Sequence, residues 1–152
     1  MQASAGCWQV YNELIADTLT TPAGAVERWH HVDCFAVQHP GGAQADRRQR
    51  QSVAVHLVSL CLLHEFGQQP RRAPVRRGST SRHVLAWAGL DDWPFLTPPA
   101  DLGPVTVRDV RAASAGERVE RMQAWATAAW SAWGAHHEVV RVWAAALQAQ
   151  GR

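Results

Sequence analysis

The chain has 152 residues, 47% of them hydrophobic, with a formal charge of +2; this fits one domain around one core and leaves little basic excess for a nucleic acid. All of its basic residues are arginine, so Schiff-base and pyridoxal-phosphate chemistry and the phosphate-loop lysine are excluded. Three cysteines without a CxxC pair, no leader-like N-terminus and no apolar run of about 18 residues predict a reduced, cytoplasmic chain with no membrane span.

In chain order, Cys7, Tyr11, Leu14, Ile15 and Thr18 recur at helical spacing and predict a first helix from Cys7 to Leu19. Thr20-Thr21-Pro22-Ala23-Gly24 supplies capping hydroxyls and breakers before a second helix from about Ala25 to Gln38, which Pro40 and Gly41-Gly42 stop. A third helix opens on Asp46 as N-cap and closes at Gly67; its body, SVAVHLVSLCLLHEF, is apolar nearly all round and belongs at the centre of a bundle.

Residues 68–82, with Arg71, Arg72, Arg76, Arg77 and Arg82 among prolines, read as a flexible, solvated loop rather than a phosphate site. A short helix over Arg82–Ala88 precedes a proline-punctuated stretch with Trp93, Phe95 and Leu96 pressed onto the bundle, and Thr106 caps another short helix through Ala113. The last element, Gly116 to about Gln148, carries Trp125, Trp130, Trp133 and Trp143 at core spacing, with Gly134 as its one interior breaker, leaving room for a close helix approach or a substrate. The expected architecture is all-α: one domain over 1–152, a bundle of about four main helices plus short connecting ones.

Chemistry concentrates in histidine, present eight times. His56 stands mid-way along the apolar third helix, where a buried neutral imidazole needs a partner for each ring nitrogen. On the second helix His30, Asp33, Cys34 and Val37 share a stripe, so Asp33 can orient a ligand histidine or bind metal itself; Cys34 reads as core filler and His31 as exposed. His39 falls at the helix end and the His136-His137 pair on the Trp-rich helix. Histidines drawn from separate helices are how bundles build sites for zinc, iron or nickel, although no HExxH, paired Glu-x-x-His or CxxC is present. Ser52 and Ser59 flank His56, but no oxyanion hole accompanies them.

The blocks Val32-Asp33-Cys34-Phe35-Ala36-Val37-Gln38-His39-Pro40, Gln51-Ser52-Val53-Ala54-Val55-His56-Leu57, Gly103-Pro104-Val105-Thr106-Val107 and Trp130-Ser131-Ala132-Trp133 with His136-His137 and Trp143 resemble an actinobacterial family of unknown function. The resemblance makes Asp33, Gln38, His39, His56 and the His136-His137 pair family features, and leaves His64 and His83 outside its motifs. Members often begin with a CPGCG-like segment; this chain has only Cys7 near its start, so no zinc-ribbon role is expected of it. More loosely, the arrangement is similar to DinB-like metal-binding helical bundles, which implies three histidines around a divalent ion used in thiol-transfer or hydrolytic chemistry.

The expectation is a divalent metal, zinc first and iron or nickel next, held by His39, His56 and His137 with His136 and His30 in reserve. Asp33 would be a ligand, a support behind one, or the base, and Glu138 an alternative base, in hydrolase or transferase chemistry on a small molecule. The rival expectation is a non-catalytic interaction module with hydrogen-bonded core histidines, forming a homodimer through its Trp-rich helix.

Overall fold

The computed structural model describes residues 3–19, 24–67 and 81–150; the expectations for Thr20–Ala23 and for most of the arginine-rich loop lie outside those residues. The elements are α1 (Ala5–Leu19), α2 (Gly24–Val37), α3 (Arg47–His64), α4 (Ser81–Trp87), α5 (Val107–Ala112), α6 (Arg118–Ala132), a 3-10 turn (Gly134–His136) and α7 (His137–Gln150). No strand occurs among the described residues, and the fold is an all-α bundle.

α3 is central, as its apolar character requires. Asp46 caps it, with its side chain accepting from the Gln49 N–H at 2.9 Å while the Gln49 side chain accepts from the Asp46 N–H, the reciprocal capping box. Val53, Ala54, Leu57, Val58, Leu60, Cys61 and Leu62 are buried, facing α2, α6 and α7. α1 packs on α2 and α5 through buried Leu14 and Thr18, and the Ser4 hydroxyl accepts from the Cys7 N–H to begin it.

The long final helix expected from Gly116 to Gln148 is instead two helices, broken at Trp133 and Gly134. The break shifts the chain's packing partners: α6 lies mainly on α2 and α5 and also touches α3, while α7 lies on α3 and α4. Gly134 weakens the helix where the turn is needed; the close approach expected of it is absent, since a Cβ there would meet nothing within 4 Å.

The connecting stretch between α4 and α5 is tied down unevenly. Trp93 is buried, Leu96 half-buried, and Phe95, expected against the bundle, is exposed. Arg50 donates to the Trp93 carbonyl at 3.0 Å and to Asp92 at 2.8 Å, so α3 grips this segment directly. Gly103 lets it lie against α6: its φ is +100°, and a Cβ would sit 3.0 Å from the Ala128 carbonyl oxygen.

Candidate functional site

The α2–α3 seam holds the most reactive arrangement among the described residues. Asp33 is only 2% exposed, and a carboxylate so placed is tolerable only if hydrogen-bonded. α3 supplies the donors from adjacent turns: His56 Nδ1 lies 2.7 Å from Oδ1, and Ser59 Oγ donates to Oδ2 at 2.9 Å. An ionised carboxylate only accepts, so Nδ1 carries the hydrogen and the neutral ring presents Nε2 as its acceptor. About a fifth of the His56 side chain is exposed, and Nε2 meets no hydrogen-bond partner among the described residues. The seam therefore offers an oriented imidazole with its basic nitrogen outward.

Asp33 also acts on its surroundings. Burial first, and the Asp33 charge second, push the Tyr11 phenol up from its ordinary pKa, and the same two causes push the Cys34 thiol well up. Cys34 is fully buried, core filler as expected. Tyr11 stacks on Phe35 at 4.3 Å, and Trp8 leans on both rings, so an aromatic wall from α1 backs this side of α2.

The C-terminal end of α2 is held by side chains. Gln38 Nε2 donates to the Leu102 and Val105 carbonyls at 2.9 and 2.8 Å, and Trp125 Nε1 donates to Gln38 Oε1 at 2.7 Å. Trp133 Nε1 donates to the Val37 carbonyl at 3.2 Å. His39 turns back over its own helix: Nδ1 lies 2.8 Å from the Phe35 carbonyl and the ring lies 4.2 Å from Phe35. Carbonyls left over at a helix end need such donors.

The His136-His137 pair is also bound to backbone. His136 Nε2 donates to the Thr97 carbonyl at 2.8 Å, and His137 Nε2 to the Trp130 carbonyl at 2.9 Å, its ring lying flat on the Trp130 indole at 3.7 Å. Glu138 is exposed in the first turn of α7, away from the seam's hydrogen bonds. Of the expected set, the structure joins Asp33 to His56 and leaves His39, His136 and His137 on separate carbonyls. Among the described residues, no three His, Cys, Asp or Glu side chains come together in a way that would hold a metal ion.

Other expectations divide. Trp125, Trp130, Trp133 and Trp143 are all buried inside this chain, as the core reading expects. His31, expected exposed, is fully buried with its ring 6.5 Å from Trp125, because α2 is covered on its α6 side as well as its α3 side. Ser59 was passed over in the sequence for want of an oxyanion hole; its spacing of three from His56 was the signal that both face one residue. Gln38 carried no signal beyond its motif.

No helix among the described residues is long and apolar enough to cross a membrane. No curated protein and no solved structure matches the chain. A family-model match takes in Asp33, Gln38, His39 and His56 and stops short of the His136-His137 pair. On that match, which runs over residues 1–134, the chain belongs to the family of unknown function DUF5946.

Proposed function

We propose that the chain acts through His56 as a proton-transfer group on a small polar molecule, with Asp33 holding the imidazole in one tautomer and Ser59 holding Asp33. The observation that carries this is the 2.7 Å contact from His56 Nδ1 to a carboxylate 2% exposed. A carboxylate behind Nδ1 fixes the ring and favours the imidazolium formed when Nε2 takes a proton. The three free thiols suit a reducing, cytoplasmic setting.

The test is a screen of activated ester, amide and phosphoester substrates on the chain, His56→Gln and Asp33→Asn. Turnover about 10²–10⁴-fold lower in His56→Gln, at an unchanged thermal midpoint, supports the reading. Turnover that is absent, or that survives in His56→Gln, removes it.

A divalent metal, zinc first, is the second reading, favoured by the same geometry: ligating histidines commonly donate their other ring N–H to a carboxylate. It requires ligands to join His56 Nε2, and His39, His136 and His137 would each have to give up a backbone carbonyl. Elemental analysis of protein purified without a nickel column decides it. Near-stoichiometric metal, lost in His56→Ala without unfolding, supports the site; metal-free protein whose stability chelators leave unchanged removes it.

A further inference from the structure

A cavity of about 310 Å³ opens between α2, α3 and α6, walled by His30, Leu63, His64, Met122, Gln123 and Thr127 among others. It contains none of Asp33, His56 and Ser59, although it adjoins them: His30 precedes Asp33 by one helical turn and Leu63 follows Ser59 by one. Well-packed interiors leave few voids larger than a water molecule, and this volume falls within the usual span of small-molecule sites, roughly 300–1,000 Å³.

The lining states what would fit. Leu63, Met122 and Ala126 supply an apolar floor, and methionine adjusts its shape to a guest. His30, His64, Gln123 and Thr127 supply hydrogen-bonding groups, and the described lining residues include no carboxylate and no guanidinium. A charged guest would shed water there with nothing of opposite sign among the described lining residues to receive it. Burial, partly offset by a hydrogen bond with the Ala126 backbone, holds His64 below the ordinary imidazole range, so at neutral pH this ring stays uncharged.

We propose that this cavity is a binding site for an uncharged, mainly apolar small molecule bearing one hydroxyl or N–H donor, which an acceptor of the polar wall receives. The site stands apart from the proton-transfer reading and does not depend on it.

The experiment is an NMR titration that follows the methyl groups of Leu63, Met122 and Ala126. Indole is the neutral probe, indole-3-carboxylate and tryptamine its anionic and cationic analogues. Indole should give saturable shifts at those methyls, and each ion should bind at least about tenfold more weakly. Val119, on the lining and 45% exposed, can be enlarged without entering the core. Val119→Trp should weaken indole about tenfold or more at an unchanged thermal midpoint, with Thr127→Phe, also at an exposed position, as the second obstruction. His56→Ala should leave indole binding as it was. Absent saturation, equal binding of either ion, or full affinity in both obstructed variants overturns the proposal.

Discussion

Gln38 shows how much one side chain holds in this chain. Its amide donates twice into the 102–105 segment and accepts once from Trp125, so it joins α2, a connecting strand of chain and α6 at a point 9% exposed. Removing a partner from a buried polar group costs about 1–3 kcal/mol for each group left unsatisfied. Gln38→Leu strands two carbonyls and an indole N–H, and should lower unfolding free energy by roughly 3 kcal/mol in urea titration; a loss below about 1 kcal/mol would mean water takes over. The sequence made Asp33 and His56 legible as partners because both sat on apolar faces and each needed one. Gln38 was not legible in this way: a glutamine at a helix end reads as solvated, and its three partners lie 64 to 87 positions away.

At the scale of elements, apolar periodicity located the helices and their caps told where two of them begin, Asp46 through its box with Gln49 and Thr106 through its N–H and hydroxyl bonded to Asp109. Periodicity could not separate α6 from α7, because Trp133, Val140 and Trp143 keep helical spacing across the break and only the packing partners differ. The α3–α7 contact ends in an ion pair, with Arg141 donating to Glu65 from Nε and from Nη2, the latter at 2.9 Å. That hydrogen bond, more than the Arg141 charge itself, holds the Glu65 carboxyl below its ordinary 4.5. A depressed acid stabilises the fold above its unfolded pKa and loses that contribution as pH falls through the folded value. Urea midpoints should therefore fall from about pH 5 downward, around the ordinary value of 4.5, and fall less in Glu65→Gln. Both side chains are partly exposed, so high salt should shrink the difference between the two curves; parallel curves at low salt would deny Glu65 this role.

Over the whole molecule, the apolar content and the all-round apolar third helix were enough to anticipate an all-α bundle. The gathering of the histidines was not, because helical faces give direction without depth. His39 lies at the end of α2 as expected, while His136 and His137 fall at the break between α6 and α7; each of the three rings is taken by a backbone carbonyl, of Phe35, Thr97 and Trp130 in turn. The same core settles thiol behaviour. Cys34 and Cys61 are fully buried; burial pushes Cys61 up to about 12 and Cys34 well up, while Cys7 is half-buried. A thiol reagent at pH 8 should modify Cys7 first, reaching the other two only as the bundle opens, because the reactive species is the thiolate. Mass mapping of the modified positions checks this, and Cys61 labelled as fast as Cys7 would contradict it.

The indole clamps on the end of α2 also bear on synthesis. Trp125 reaches back 87 positions to Gln38 and Trp133 reaches back 96 to Val37, so the early helices close on residues the ribosome delivers much later. Helical proteins usually fold quickly through contacts near in sequence; here α1 to α3 emerge first with the α2 end uncovered and the His31 and Gln38 side chains still waiting for α6. The nascent chain must hold that half-built seam in water until its last third arrives.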